Sequence, residues 1–353
     1  MDTMIAANLH APGDLRVELV PMPVIESHEV LVKVSCCGIC GSDVPRVNTS
    51  GTYHFPTIPG HEFAGTATAV GASAHGVREG DRVAVIPLIP CRICRMCERG
   101  YYAQCASYDF LGSRSDGGFA QYVRVPASNT VQVPARVPDE AAAMLEPAAT
   151  TLHAVRNLGV SWGDTVVVFG LGAIGNLTAQ WARAFGASRV FAVDVVEGKV
   201  DIARRCGLPD ATTTTGEDLA AMVDAETGGY GVDAVFDASG SPAALDDAIK
   251  LLRPFGRLGL IGRPGRPVSL SDPAFERILR YQLTIAGNWS FEFTSFPHHA
   301  WRESAKAMDQ GQLVVEPLIT HRYPLERIAE GVRLMAEKRP DIGKIVILPH
   351  EEG

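Results

Sequence analysis

Short apolar runs, bounded by glycine or proline, characterise the first 150 residues of the chain. The runs at 29–39, 63–71 and 81–87 are rich in β-branched residues. Such side chains fit a pleated, half-buried surface better than the face of a helix. The pattern therefore predicts a β-rich N-terminal region with strands at these three places.

From residue 139 onward, helical and extended segments alternate. A helical pattern at 139–159 begins with acidic residues and ends at a glycine. Continuous apolar runs follow, as expected for strands that are covered on both faces. They lie at 165–170, 189–194, 233–239, 256–262 and 283–287. Because helical patterns separate them, the fold class is predicted as α/β: a Rossmann-type, doubly wound parallel sheet plus a β-rich domain.

Composition and charge narrow the function classes. The chain has 353 residues, of which 46% are hydrophobic, and is long enough for two domains with separate cores. A net charge of −8 indicates no basic surface for nucleic acid. The sequence contains no apolar stretch of about 18 residues, so no membrane span is predicted. The N-terminus lacks the pattern of a secretory signal. These features predict a cytoplasmic protein that binds neither nucleic acid nor membrane.

The turn after the first parallel strand carries a dinucleotide-binding pattern. Residues 170–175 follow the order G-x-G-x-x-G, with a strand before them and a helix after them. In this motif the first glycine allows the tight turn, the second lets the backbone approach a pyrophosphate, and the third lets helix and strand pack. We expect the phosphates at the helix N-terminus. The predicted cofactor-binding residues of this turn are Gly170, Gly172, Ala173, Ile174 and Gly175.

An acidic residue ends the next predicted strand. Asp194 lies 24 residues after Gly170, where a carboxylate accepts hydrogen bonds from the adenosine ribose and repels a 2′-phosphate. No arginine stands directly beside it. The sequence therefore predicts NAD rather than NADP. Lys199 is a further candidate for the adenosine end, although a solvated helix lysine explains it as well.

Four of the eight cysteines fall within fifteen residues, spaced C-x2-C-x2-C-x7-C. In a reducing compartment, clustered cysteines hold metal more often than they form disulfides. Zinc takes four thiolates in closed structural sites, which stabilise a loop and perform no chemistry. An iron–sulfur cluster is the chemical alternative; two disulfides or unrelated buried cysteines are the others. The predicted structural zinc ligands, in the lobe 91–105, are Cys91, Cys94, Cys97 and Cys105.

A second set of metal-binding residue types is spread over the first 150 residues. Cys40 lies in GICGSD, His61 and Glu62 in PGHEFAG, and Glu146 in LEPAAT. Each is weak evidence alone, because a lone cysteine is usually a core residue and a glutamate at a helix start often serves the helix dipole. Together they offer one thiolate, one imidazole and one or two carboxylates. Such a set suits a catalytic zinc with an open position.

These motifs, in this order and at these distances, resemble the zinc-dependent medium-chain dehydrogenases over essentially the whole chain. Because it has Glu146 in place of a cysteine, the chain resembles the sorbitol (polyol) dehydrogenase branch rather than the ethanol branch. Within that branch, the segments 105–122, 271–289 and 315–322 resemble the galactitol-1-phosphate 5-dehydrogenases.

The resemblance implies a barrel-like catalytic domain at 1–151, a Rossmann domain at 152–289 and a return to the catalytic domain at 290–353. The active site would lie in the cleft between the domains. Thr150 resembles the family residue near the nicotinamide, although a generic helix threonine explains it almost as well. Two zinc ions per chain, one catalytic and one structural, and NAD are the implied cofactors. The family is commonly dimeric or tetrameric, so a homodimer or homotetramer is expected.

In the implied catalytic site, Cys40, His61 and Glu146 hold zinc, and Glu62 lies close enough to exchange with a bound water. Ser42 would pass a proton toward solvent. The implied reaction oxidises a secondary alcohol of a sugar alcohol, or of its phosphate, to a ketose. Zinc acts as a Lewis acid and hydride passes to NAD.

The substrate is the least determined part of the prediction, because a polyol needs several hydroxyl partners and a phosphate needs a cationic pocket. Where the subfamily has a second arginine after Arg114, this chain has Ser115, which leaves phosphorylation of the substrate open. The alternatives are an unphosphorylated polyol such as altritol, sorbitol or xylitol, then a threonine-dehydrogenase-like activity, and, from another class, a non-enzymatic NAD-binding protein. The predicted substrate-contacting residues are Arg46, His54, Arg114, Asn288 and Trp289.

Overall fold

The computed structural model describes residues 2–292, 299–337 and 339–351. Its strands are β1 (Thr3–Ala11), β2 (Asp14–Pro21), β3 (Glu29–Gly38), β4 (Glu62–Val70), β5 (Arg82–Val85), β6 (Leu88–Ile89), β7 (Asp109–Phe110), β8 (Tyr122–Pro126), β9 (Thr130–Gln132), β10 (Thr165–Phe169), β11 (Arg189–Val193), β12 (Val232–Asp237), β13 (Leu252–Leu260), β14 (Thr284–Gly287), β15 (Ile319–Pro324) and β16 (Lys344–Leu348). Its helices are α1 (Asp43–Pro45), α2 (Arg95–Glu98), α3 (Asp139–Ala143), α4 (Leu145–Leu158), α5 (Ala173–Ala184), α6 (Glu197–Arg205), α7 (Gly216–Thr227), α8 (Pro242–Leu251), α9 (Asp272–Arg280), α10 (Ala300–Asp309) and α11 (Ile328–Ala336). Within the described ranges, no helix has the length and apolar character needed to cross a membrane.

The chain divides into two compact units. The first comprises Met1–Glu146, Glu292–Gln310 and Ile319–Gly353, and the second comprises Pro147–Phe291 and Gly311–Leu318. The domain boundaries expected from the sequence put residues 311–318 in the first unit. They belong to the second because the Gln180 side chain on α5 donates to the Val314 carbonyl (3.0 Å) and accepts from the Val314 N–H (2.8 Å).

The first unit is built on a mixed sheet in the order β15-β16-β3-β4-β5-β9, with β8 also paired to β3. β3 pairs antiparallel with β4, β8 and β16, which makes it the centre of the sheet. Val30, Val32 and Val34 on β3 are fully buried while Lys33 is exposed, the alternation expected for a half-covered strand. The β1–β2 hairpin was not predicted from the sequence, because β2 contains no residue buried in the core.

The second unit contains a parallel sheet in the order β11-β10-β12-β13-β14. Its strands correspond to the apolar runs of the sequence, so the predicted Rossmann-type fold is confirmed. Along β10, four consecutive residues from Val166 to Phe169 are buried, as expected for a strand covered on both faces. The strand order reverses at β10, which lies between β11 and β12. Ligands of open α/β sheets bind beyond the carboxyl ends of the strands at such a reversal.

The single helix predicted at 139–159 is two helices. α3 ends at Ala143, Met144 separates the two, and α4 begins at Leu145. Pro147 explains the break, because it has no N–H to donate to the carbonyl four residues earlier, at Ala143. The break places Glu146 in the first turn of a new helix rather than in the middle of a long one.

Candidate active site

Cys40 lies in the loop between β3 and α1, and short hydrogen bonds shape that loop. The Cys40 N–H donates to Asp43 Oδ2 (2.9 Å), and the Asp43 N–H donates to the Cys40 carbonyl (3.0 Å). The Asp43 side chain is fully buried. The turn therefore fixes the position of the thiol relative to the end of β3.

His61 precedes β4 and is buried against the same carboxylate. Its Nδ1 lies 3.3 Å from Asp43 Oδ1, which leaves Nε2 for a metal ion. Burial disfavours the protonated ring, but Asp43 and Cys40 raise the pKa of His61 well above its usual value. A carboxylate behind a ligand histidine orients the ring and increases its basicity. Sequence reasoning missed Asp43, although its place three residues after Cys40 was a usable signal.

Glu62, the first residue of β4, forms a buried ion pair with the first residue of β16. Lys344 Nζ lies 2.8 and 2.6 Å from the two carboxylate oxygens of Glu62 and 3.3 Å from the Ile39 carbonyl oxygen. Burial alone would lower the pKa of Lys344, but the charge of Glu62 raises it. Strand pairing creates the contact, because Gly38 of β3 is opposite both Glu62 and Val346. Sequence reasoning missed Lys344; the signal was a lysine at the head of an apolar strand.

The ligand atoms of Cys40, His61 and Glu62 all lie within 4.8 Å of one another. Glu146, predicted as the third zinc ligand, is not in this compact group but interacts with it electrostatically. The pKa of Glu146 is raised to about 7, chiefly by burial; His61 and Lys344 oppose this rise, and the charge of Glu62 adds to it. A metal cation in the group would favour the ionised carboxylate. The structure thus places Glu62 in the compact group and Glu146 in the same charge network.

Ser42 and Arg46 contact each other beside the Cys40 loop. Arg46 Nη1 donates to Ser42 Oγ (3.0 Å) and lies 3.3 Å from Asp43 Oδ1. The predicted proton-passing hydroxyl and one predicted substrate arginine are therefore neighbours. Thr150, predicted to lie near the nicotinamide, is on α4, and its buried hydroxyl has no hydrogen-bond partner among the described residues. An unsatisfied buried hydroxyl costs free energy unless a ligand completes it.

The lobe 91–105 brings its four thiols together. Cys91 Sγ lies 4.0 Å from Cys97 Sγ, Cys94 Sγ lies 3.9 Å from Cys105 Sγ, and all four sulfurs lie within 4.8 Å of one another. Tetrahedral zinc with bonds of about 2.3 Å needs sulfur–sulfur distances of roughly 3.8 Å, so the group fits zinc. All eight cysteines are free thiols, so the disulfide alternative is wrong. Backbone hydrogen bonds lower the pKa of Cys94 to about 6, and the one with Ala106 has the largest effect.

Replacing Cys94 by serine is expected to remove the lobe metal and leave the catalytic group intact. The zinc content should fall from two ions per chain to one, because a closed site loses a quarter of its ligands. Metal analysis and the midpoint of thermal unfolding measure the effect. Cys206→Ala is the matched control, since Cys206 is buried outside both metal-binding groups. A Cys94→Ser protein that keeps two zinc ions would contradict the assignment.

The glycine turn follows β10, where the strand order reverses. Gly170 has φ +87°, and a Cβ there would lie 2.8 Å from Ser239 Cα. A Cβ on Gly175 would lie 1.6 Å from the Gly170 carbonyl oxygen, so only glycine lets α5 start this close to the strand. Gly172 caps α5 and has open space where its Cβ would be. Ala173 and Ile174 then form the first turn of the helix.

Asp194 directly follows β11 and is held against the glycine turn. Its Oδ2 accepts a hydrogen bond from the Leu171 N–H (2.6 Å), and its Oδ1 accepts one from the Val196 N–H (2.9 Å). Each oxygen keeps a lone pair for a ribose hydroxyl. Lys199 lies in the first turn of α6 and is half-buried.

Two of the predicted substrate residues, Asn288 and Trp289, follow β14 in the second unit. Asn288 Oδ1 accepts a hydrogen bond from Asn157 Nδ2 (2.9 Å), and its N–H donates to the Leu260 carbonyl (2.9 Å). Trp289 is 49% exposed, and the guanidinium of Arg263 lies 5.1 Å from its ring centroid. Asn288 thus secures the end of the sheet, whereas Trp289 retains an accessible face.

Besides Arg46, described above, the remaining predicted substrate residues are His54 and Arg114, which belong to adjoining loops of the first unit. His54 Nε2 lies 2.9 Å from the Arg114 carbonyl oxygen, and its Nδ1 lies 3.1 Å from the Pro56 carbonyl oxygen. Both ring nitrogens of His54 therefore face backbone carbonyl oxygens, and a neutral ring donates to one of the two. The guanidinium of Arg114 lies over the rings of Tyr53 and Tyr108, two residues that sequence reasoning did not select.

Comparison with known proteins places this site in a family. The alcohol dehydrogenase GroES-like domain matches residues 26–135, and the zinc-binding dehydrogenase family matches residues 173–309. Galactitol 1-phosphate 5-dehydrogenase of Escherichia coli K12 is 34% identical over 96% of this chain and 97% of its own length. L-threonine 3-dehydrogenase of Bacillus licheniformis is also 34% identical, over 99% of this chain and 100% of its own length. Sorbitol dehydrogenase of Bombyx mori is 32% identical, over 93% of this chain and 94% of its own length.

The likeness extends to three dimensions. The crystal structure of galactitol-1-phosphate dehydrogenase from Escherichia coli superimposes with a TM-score of 0.90 at 34% identity, covering 98% of this chain and 100% of that one. The chain belongs to the zinc-dependent medium-chain alcohol dehydrogenases. Within that class it is an NAD-dependent zinc dehydrogenase of the polyol branch. Zinc and NAD are its cofactors, as predicted.

Proposed function

We propose that this enzyme oxidises one secondary hydroxyl of a hexitol-type sugar alcohol, or of its phosphate ester, to the ketose. The observation that carries the proposal is the compact group of Cys40, His61 and Glu62, with Glu146 in the same charge network. The identity to galactitol 1-phosphate 5-dehydrogenase supports the substrate class. In the reaction the alcohol carbon gives a hydride to NAD, the hydroxyl proton is released, and a carbon–oxygen double bond forms.

Zinc, when bound, supplies the Lewis acid that makes the alcohol more acidic, and NAD supplies the hydride acceptor. Cys40, His61 and a carboxylate, either Glu146 or Glu62, would hold the metal. Asp43 keeps the His61 ring in one orientation, with Nε2 available. Lys344 neutralises Glu62, so the site does not carry two uncompensated carboxylates.

Ser42 is the residue that passes the released proton toward solvent. It is half-buried, and its oxygen already accepts a hydrogen bond from Arg46 (3.0 Å). The hydroxyl hydrogen is therefore free to point at a second acceptor. The cation of Arg46 favours a negative charge on the oxygen next to it, which helps proton departure.

The second candidate is oxidation of an unphosphorylated polyol, favoured by the Ser115 departure from the subfamily pattern. An amino alcohol is the third candidate substrate, because the L-threonine 3-dehydrogenase relative is also 34% identical to this chain. The non-enzymatic alternative is not retained, because the metal-binding group is intact and the chain belongs to a dehydrogenase class.

NAD reduction over a substrate panel tests the proposal. The panel contains galactitol, sorbitol, xylitol and altritol, the 1-phosphates of galactitol and sorbitol, and L-threonine. We expect the highest kcat/KM with one of the hexitols or its phosphate and the lowest with threonine. A preference for threonine over every polyol would overturn the proposed substrate class.

Removal of the Asp194 carboxylate is expected to relax the choice of nucleotide. In Asp194→Ser, kcat/KM for NAD should fall by about 10- to 100-fold, the range for losing charge-assisted hydrogen bonds. The value for NADP should hold or rise, because the repulsion of the 2′-phosphate is gone. Asp201→Ser on the exposed face of α6 controls for the loss of one negative charge. An unchanged NAD-to-NADP ratio would remove Asp194 from the nucleotide site.

The quaternary structure is part of the proposal as well. β14 is an edge strand of the parallel sheet, and three of its four residues are exposed. A free edge can pair with the same strand of a second copy, which supports a homodimer, or a homotetramer built from such dimers. A cytoplasmic location fits the lobe, whose thiols must stay reduced to hold metal.

A further inference from the structure

Arg114 is stacked on two tyrosine rings in the first unit. Its Cζ lies 4.0 Å from the ring centroid of Tyr53 and 4.5 Å from that of Tyr108. A guanidinium group stacked on aromatic rings keeps its N–H donors at the edge of its plane, where they can still bind an anion. The stack therefore restricts the orientation of the cation without consuming its hydrogen bonds.

The charge of Arg114 is not compensated by an acidic residue. Among residues 2–292, 299–337 and 339–351, no carboxylate lies within ion-pair distance of it, and its buried Nε has no hydrogen-bond partner. Arg46, the other predicted substrate arginine, is already paired with Asp43 at 3.3 Å and bonded to Ser42. A buried donor without a partner costs free energy in the protein alone, which a bound anion would recover.

Backbone contacts hold Arg114 in place before any ligand binds. Its N–H donates to the Phe110 carbonyl (2.8 Å), and its carbonyl oxygen lies 2.9 Å from His54 Nε2. The Tyr53 N–H donates to the Ser113 carbonyl (3.2 Å), which joins the loop of one stacking ring to the loop of the arginine. A group ordered in advance loses less entropy on binding.

A row of rings connects this arginine to the catalytic group. Tyr108 contacts Phe110 edge-on at 6.3 Å between centroids, and Phe110 lies 5.6 Å from the His61 ring. His61 belongs to the compact metal-binding group. Arg114 and the metal-binding group therefore lie at opposite ends of one aromatic row.

We propose that Arg114, held by Tyr53 and Tyr108, binds the phosphate group of a polyol phosphate whose reacting hydroxyl lies at Cys40 and His61. This inference rests on the proposed function. It favours the phosphate ester of a sugar alcohol over the unphosphorylated polyol as the substrate. The planar fork of arginine matches two phosphate oxygens at once. The neighbouring Ser115 hydroxyl is also buried without a partner in the described part of the chain. Ser115 stands where the subfamily has a second arginine, so this position still offers a hydrogen-bond donor.

Kinetics of Arg114→Met with galactitol 1-phosphate and galactitol, and with sorbitol 1-phosphate and sorbitol, test the phosphate site. We expect the wild-type preference for the ester, expressed as the ratio of kcat/KM values, to fall by about 10- to 100-fold through KM. Values for the unphosphorylated polyols should fall less than those for the esters, because they carry no phosphate for Arg114 to bind. Arg114→Lys should restore part of the ratio, because an ammonium group supplies charge without the planar fork.

Arg327→Met is the matched control, since it removes an arginine that also stacks on a tyrosine in the same unit, 5.0 Å from the Tyr323 centroid. It should leave the ratio unchanged. If wild type and Arg114→Met both oxidise polyols and esters, and the ratio of kcat/KM for ester over polyol is the same in the two proteins, the phosphate site is overturned. The proposed function would still stand.

Calorimetry with inorganic phosphate measures binding at this site without depending on turnover. Binding to the wild-type holoenzyme that is lost in Arg114→Met supports the site. Equal binding in the two proteins, or binding in neither, overturns it. Absence of turnover with every polyol and ester would defeat the proposed function, and the phosphate titration would still decide the role of Arg114.

Discussion

Replacing Cys40 by serine is expected to abolish alcohol oxidation while the fold and NAD binding persist. Cys40, His61 and Glu62 form a group small enough for one ion, with ligand atoms within 4.8 Å. Loss of the thiolate weakens metal binding at a site that the Lewis-acid step needs, a contribution of several kcal/mol. Since each 1.4 kcal/mol is tenfold in rate, we expect kcat to fall by about 10³-fold or more.

Three measurements check this result: NADH formation, zinc content and NADH binding by fluorescence. The zinc content should fall from two ions to one, with the lobe metal retained, and NADH binding should be unaffected. Cys36→Ala is the matched control, because Cys36 is buried on β3, the strand that leads to Cys40, but lies outside the metal-binding group. Full turnover by the Cys40→Ser enzyme would show that the metal-based reaction is wrong.

The second large effect is expected from the buried pair of Lys344 and Glu62. In Lys344→Met the Glu62 carboxylate stays buried but loses its partner, and breaking such a pair costs about 3–5 kcal/mol. Both side chains are buried, with Nζ 2.6 and 2.8 Å from the carboxylate oxygens. The midpoint of chemical denaturation of the first unit should therefore fall clearly below that of the wild type.

A double variant separates loss of the pair from loss of packing. Lys344→Met combined with Glu62→Met should recover most of the stability, because two apolar side chains of similar size leave no unpaired charge. The control Arg327→Met breaks an exposed ion pair with Glu330 and should cost no more than about 1 kcal/mol. Equal denaturation midpoints for Lys344→Met and the wild type would show that the pair does not stabilise the fold.

The Rossmann-type half of the fold could be predicted because its signals are local. Each parallel strand is a continuous apolar run, and Gly170 and Gly175 meet backbone atoms that leave no room for a side chain. The first unit was harder to predict. β2 is largely exposed and offers no apolar run, and the break at Met144 depends on a proline three residues further on.

The candidate site was predicted in its residue types but not in its arrangement. Motif spacing identified Cys40, His61, Glu62 and Glu146, and the fold does bring them into one charge network. Spacing along the chain carries no information on which carboxylate is closest to the thiol. Strand register decides that, because Glu62 is opposite Gly38 at the end of β3.

The sequence by itself determined the class of cofactor and the metal-binding residue types, since the glycine turn and the cysteine lobe are each formed by neighbours in the chain. Only the tertiary structure decided the partners of those residues. Lys344 neutralises a glutamate that lies 282 residues away, and Tyr53 stacks on Arg114 from a separate loop. The physical reason is range: hydrogen-bonded turns act over a few residues, whereas buried charges and stacked rings pair whichever groups the packed sheets and loops bring together.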